Sequence, residues 1–237
     1  SEPKTFKLSW VGKDGKELLD PAGHQTRIKN LFGWDLRGAA GVYGPKYQKK
    51  KYVLPIDLLT TKATRDDFVR WFTSGHDGIP AYGDVLAPAE IGELADFIVA
   101  MRESKIARPD QVFDLSTTAP GNYTLKKGAD PGRGATLIKE RCVTCHGADG
   151  TAVLFDDGEF SLGSHARQKA YEDWMKILNG QPGSKMTRQV KSTDGPGMAK
   201  EILDILAALC DRKAFPPGKA KGKDVPDGDA RCGAYLR

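Results

Sequence analysis

Five consecutive residues, Cys142-Val143-Thr144-Cys145-His146, concentrate most of the chemistry this sequence can do. Two thiols three positions apart at a helix start can add to the two vinyl groups of one porphyrin. The histidine that follows is then carried beneath the iron as an axial ligand. The spacing points to one covalently bound haem c, attached through Cys142 and Cys145 with His146 on the metal. Two rivals use the same residue types. Zinc needs two further nitrogen or sulfur ligands, and no second ligand pair presents itself, because Cys210 and Cys232 are distant and His165 stands alone. A thioredoxin-like redox pair wants a preceding strand, whereas here a helical pattern precedes. So short a motif also arises by chance in a long chain.

The remaining cysteines, Cys210 and Cys232, lie 22 positions apart near the C-terminus. Their expected state is a disulfide, which persists in oxidising compartments and would contribute about 3 kcal/mol by restricting the unfolded chain. Two free thiols are the alternative.

The elements that must position these groups read as helices. Residues 89–102 place Ile91, Leu94, Ala95, Ile98 and Met101 at helical spacing, with Pro88 suited to the opening turn. Residues 198–210 repeat the pattern with Ile202, Ile205, Leu206 and Leu209, after Gly197. A third helix is expected from Gly134 to Cys142, with Leu137 and Ile138 on its apolar face. Strand-like alternation is scarce, so the expected fold class is mainly α. Proline and glycine cluster up to about Gly23, between Ala107 and Gly134, and from Phe215 onward. The middle cluster reads as an interdomain linker and the last as an irregular arm.

The 237 residues suit two small domains, and 39% hydrophobic content suits compact cores. No apolar run approaches the ~20 residues of a membrane helix. The net charge of +5 is modest and dispersed, which argues against nucleic-acid binding. Lys49-Lys50-Lys51 reads as a solvated loop. The opening Ser1-Glu2-Pro3-Lys4, without Met, reads as a processed N-terminus, although a trimmed chain would begin the same way.

The segment Cys142-Val143-Thr144-Cys145-His146-Gly147-Ala148-Asp149-Gly150 resembles the haem-attachment segment of class I c-type cytochromes, including the glycine after the histidine. The resemblance spans roughly residues 130–210. Gly134 and Leu137-Ile138 sit where that family's N-terminal helix crosses its C-terminal one. It implies a methionine on a loop before the last helix as the iron's second axial ligand. Met186, after Asn179-Gly180, is the favoured position, although Thr187 stands where the family often has Pro. Met175 reads as helix packing beside Trp174, and Met198 as a packed residue opening the last helix. His165 is the competitor for the sixth position and otherwise reads as a surface or loop residue. The family also has a Pro carbonyl that accepts from the haem-binding histidine. No matching Pro stands near Phe160-Ser161-Leu162-Gly163, so another carbonyl would have to serve.

The first half carries a weaker version of the same resemblance. Trp71, Gly75, Ile79-Pro80 and Glu90-Ile91 follow the order of Trp174, Gly180, Met186 and Glu201-Ile202. Gly33-Trp34-Asp35-Leu36-Arg37-Gly38 lies where the cysteine motif would be. The expectation is a cytochrome c-like domain without haem or any other cofactor, filled by Phe32, Trp34, Tyr43, Phe68 and Trp71. His24 and His76 read as surface residues. An unrelated helical domain with a coincidental Gly-x-x-x-Ile-Pro is the alternative.

The resulting division is a haem-free domain over 1–106, a linker over 107–130, a haem domain over 131–212 and a disulfide-tied arm over 213–237. The resemblance implies one-electron transfer through a His/Met haem, as a periplasmic carrier or electron-transfer subunit serving redox partner proteins. The alternatives are a haem enzyme of sulfur-compound oxidation or peroxide reduction, and a haem-based gas sensor. All of these require an open or unusual axial position.

Overall fold

The computed structural model describes residues 9–11, 17–19, 27–44, 52–116, 118–181 and 183–237. Lys49-Lys50-Lys51 and His24 lie outside them. The chain divides into two compact units, residues 1–103 and 104–237. Both are built mainly from helices, in line with the α class expected above. No helix among the described residues is long and apolar enough to cross a membrane.

In the first unit, strands β1 (Ser9–Val11) and β2 (Glu17–Leu19) form an antiparallel pair. The short helix α1 (Ile28–Phe32) follows, and backbone bonds tie it and the next turns to residues 54–58. Helix α2 (Arg65–Ser74) opens on Thr64, whose hydroxyl accepts from the Asp67 N–H while the Asp67 carboxylate accepts from the Thr64 N–H. Helix α3 (Pro88–Arg102) opens on a proline, whose missing N–H costs nothing there. Arg65 forks onto the Asp96 carboxylate at 2.6 and 3.0 Å and joins the two helices on the solvent side. Between them Phe68, Phe72, Ile91, Ala95, Ile98 and Met101 are buried.

Of the residues expected to fill this unit, Phe32, Tyr43 and Phe68 are buried, whereas Trp34 and Trp71 are half-buried. Phe72 takes the inward place instead, meeting the edge of Phe32 at 6.4 Å. Trp71 stacks on His76 at 4.2 Å near the surface. Asp35 is 1% exposed; its Oδ2 accepts from the Val42 N–H at 2.7 Å and its Oδ1 has no partner. Burial pushes its carboxyl up to about 6, with the Val42 bond and Arg37 pulling the other way.

In the second unit, the stretch read as a linker is folded. Strands β3 (Phe113–Leu115) and β4 (Tyr123–Leu125) form a hairpin pairing Phe113 with Leu125. Pro120, Gly121 (φ +78°) and Asn122 (φ +60°) make its turn. The proline and glycine cluster therefore encodes a reversal of the chain, which has the same composition as a linker. Val112, Phe113 and Tyr123 are buried, and Phe113 meets the edge of Trp174 at 6.4 Å.

Helix α4 (Pro131–Arg141) starts three residues before the expected Gly134, because Asp130 caps it and Pro131 suits its first turn. The four-residue helix α5 (Val143–His146) follows at once. Helix α6 (Leu162–Asn179) is capped by Ser161 and kinks at Lys169 (φ −135°, ψ 39°). Helix α7 (Gly195–Leu209) is capped by Asp194, so Gly197 lies inside it rather than before it. Helices α4 and α7 cross at Gly134, where an added Cβ would stand 1.9 Å from the Asp204 carbonyl oxygen. The buried Asp204 carboxylate then accepts from the Asp130 N–H at 2.7 Å and from Arg133 at 2.8 Å.

The C-terminal arm is ordered against this unit. Cys210 and Cys232 are joined, with Cα atoms 6.0 Å apart. Arg167, 1% exposed, forks onto Asp224 at 2.8 and 2.6 Å and donates to the carbonyls of Leu209 and Phe215. Tyr235 receives the Ala129 N–H and donates to the Lys126 carbonyl.

Candidate functional site

The cysteine motif sits at the junction of two helices. Helix α4 ends at Arg141, Cys142 caps it, and α5 carries Cys145 and His146. Gly147 ends α5 at φ +79°, a left-handed conformation that favours glycine. From there the chain turns back, and the Ala152 N–H donates to the His146 carbonyl at 3.0 Å.

Beside this junction lies a mainly apolar cleft. Ile138, Leu162, Ile177, Ile205 and Leu209 supply its apolar walls, from α4, α6 and α7. Cys142, His146 and Met186 also line it, so three of the four residues singled out around the iron share one cavity. Cys145 is exposed and does not line it.

Met186 comes from the loop between α6 and α7. Gly180 (φ +84°) closes α6, and the Gln181 N–H donates to the Met186 carbonyl at 2.9 Å. The Ser184 hydroxyl accepts from the Met186 N–H at 3.1 Å. These bonds form a tight turn that leaves the methionine half-buried at the cleft. The two other methionines considered do not line it. Met175 is half-buried and accepts from Asn179 at 2.9 Å, while Met198 is packed away in the first turn of α7.

Burial sets the electrostatics of the site. Burial lowers the His146 pKa, with Asp173 acting in the opposite direction, so the neutral ring that binds metals is favoured. Burial pushes the Cys142 thiol up to about 11, with Arg141 partly offsetting it. His146 Nδ1 is buried with no hydrogen-bond partner. The carbonyl sought near residues 160–163 to accept from this ring therefore does not reach it.

His165 departs most from its expectation. It is 1% exposed, on α6 rather than in a loop, and its Nδ1 meets the Asp173 carboxylate at 2.8 Å. Phe155 lies between the two histidines, 5.7 Å from the His146 ring and 5.4 Å from the His165 ring. His165 Nε2 is buried without a partner, and His165 does not line the cleft, whereas Asp173 does. Sequence reasoning missed Asp173, and it missed Arg141 and Glu201, which bind each other between α4 and α7. The one available signal was that Arg141 immediately precedes the cysteine motif.

Among the described residues, no group of three or more His, Cys, Asp or Glu side chains can hold a metal ion. The donors lining the cleft are thus one thiol, one imidazole and one thioether, with the second thiol, Cys145, exposed outside it. Such a set suits a metal that arrives inside a flat apolar macrocycle.

No protein-family model matches the chain, and no solved structure matches it. The chain is 29% identical over 126 residues to a curated protein named thiosulfate dehydrogenase from Psychrobacter arcticus. That match takes in 51% of this chain and 38% of the relative, so the chain spans well under half of that protein's length.

Proposed function

We propose that the second unit holds one haem c and passes electrons singly between redox partner proteins. The observation that supports this reading is the convergence of Cys142, His146 and Met186 on one apolar cleft. Cys142 and Cys145 are both free thiols, three positions apart, as thioether attachment requires. When bound, the haem would supply an iron couple that gains and loses one electron. The chain's own part is to hold it and to keep water away. His146 would hold the iron through a ring nitrogen. Met186 would offer a soft thioether, which favours the ferrous state. Ile138, Ile177 and Leu209 wall the site with hydrocarbon. If His146 and Met186 both held the iron, no position would remain for a substrate, and electron exchange would be the chemistry the group supplies. The Cys210–Cys232 bridge suits an oxidising compartment, which supports a periplasmic location.

Intact-mass analysis with peptide mapping tests the proposal. One added haem on the peptide carrying Cys142 and Cys145 is the expected result; an unmodified chain, or haem on another peptide, overturns it.

The relative named thiosulfate dehydrogenase favours a second reading, in which this chain takes part directly in oxidising an inorganic sulfur compound. Anaerobic mixing of the ferric holoprotein with thiosulfate separates the two. Reduction by thiosulfate alone, together with carbon monoxide binding to the ferrous form, supports an enzyme. Reduction only after a partner oxidoreductase is added supports a carrier.

A further inference from the structure

We infer that Arg141 and Glu201 are positioning residues for Met186, setting how firmly its thioether is presented to the metal. This rests on the haem reading above and adds the groups that control the sixth ligand. Arg141 is the last residue of α4, directly before Cys142, and Glu201 lies on α7. Their side chains are 10% and 4% exposed. Arg141 Nη1 donates to Glu201 Oε2 and also to the Gln189 carbonyl at 2.8 Å. Glu201 in turn accepts from the Lys191 N–H at 3.2 Å, from the Ser192 N–H at 2.8 Å and from the Ser192 hydroxyl. One buried ion pair therefore grips the backbone at three positions just downstream of Met186, and it is anchored on the residue next to a haem-attachment cysteine.

The rest of the loop gives less help. The Arg188 guanidinium bonds to Val190, Ser192 and the Met198 sulfur, and the Gln189 amide bonds to Thr187. The Gln189 N–H, donating to the Ile177 carbonyl at 2.9 Å, holds this stretch to α6. A thioether is a weak neutral ligand, so its hold depends on how little ordering remains to be done when it binds. The ion pair does that ordering in advance. Removing one partner also leaves a buried charge uncompensated, and the loop moves to relieve it.

The test is an imidazole titration of the ferric full-length holoprotein, reading the far-red sulfur-to-iron charge-transfer band. Glu201→Gln and Arg141→Gln should bind imidazole about tenfold more tightly than the wild type, because the competing methionine is presented less often. The Glu201→Gln effect should vanish in a Met186→Ala background, where no thioether competes. Unchanged imidazole affinity in the folded variants overturns the inference, as does an equal shift in the Met186→Ala background. Arg141→Lys keeps the charge but loses the fork; it should shift affinity the same way by a smaller factor, and it decides the matter if the glutamine variants do not fold. A wild-type holoprotein lacking the band overturns the His/Met reading and this inference together. A wild type with the band and unaltered variants overturns only the inference.

Discussion

His165 Nδ1 and the Asp173 carboxylate meet at 2.8 Å although they lie eight residues apart on one helix. An unbroken helix separates such residues by about 12 Å along its axis. The pair forms because α6 kinks at Lys169 (φ −135°, ψ 39°), bringing the two halves face to face. The bond connects the buried ring behind Phe155 to a carboxylate on the wall of the cleft.

Asp173→Ala should destabilise the second unit by about 2 kcal/mol, because it strands a buried imidazole without a partner on either nitrogen. Asp173→Asn keeps an acceptor and should cost less. Urea unfolding followed by tryptophan fluorescence reads both; equal losses in the two variants would refute the assignment.

Gly134→Ala should be worse than its small size suggests. A methyl group there would stand 1.9 Å from the Asp204 carbonyl oxygen, so α4 and α7 must move apart. About 3 kcal/mol is expected, at the upper end of overpacking costs. A thermal melt checks it, and an unchanged midpoint would mean that the helices do not cross there.

Two carboxyls should give the units opposite pH responses. The Asp35 pKa is raised from 3.8 to about 6, so the folded state prefers its protonated form. The first unit should be most stable below about pH 4 with respect to this group and lose up to about 3 kcal/mol as pH rises toward 6. Asp35→Asn should remove that slope. Glu201 behaves in reverse: burial alone would raise it, but bonds from Ser192, Arg141 and the Lys191 N–H hold it down at about 2. Its contribution is present above about pH 4.5 and fades as pH falls toward 2. Hydrogen exchange resolved by peptide, measured across this range, reads the two units separately.

Reducing the Cys210–Cys232 bridge, or replacing both residues with Ala, should cost about 3 kcal/mol. It should also make the arm somewhat easier to cleave after residue 212. Because Arg167 holds the arm independently at Asp224, the double variant is expected to fold. Arg167→Ala in the reduced protein should release the arm altogether, which limited proteolysis detects.

The amino-acid order determined the helical character of the chain, the cysteine–histidine motif and its junction with a preceding helix, because those depend on spacing within one or two turns. The Cys210–Cys232 bridge was legible from the cysteine count and spacing, whereas Met186 was singled out through the family resemblance and its place at the cleft came with the fold. What only the tertiary structure decided depends on which helix faces belong together. The hairpin over 113–125 has the proline and glycine content of a linker and differs only in what its buried residues touch. The His165–Asp173 bond needs a kink that no residue type announces. The Arg141–Glu201 pair joins residues 60 apart in sequence, and only the crossing of α4 over α7 at Gly134 makes them neighbours.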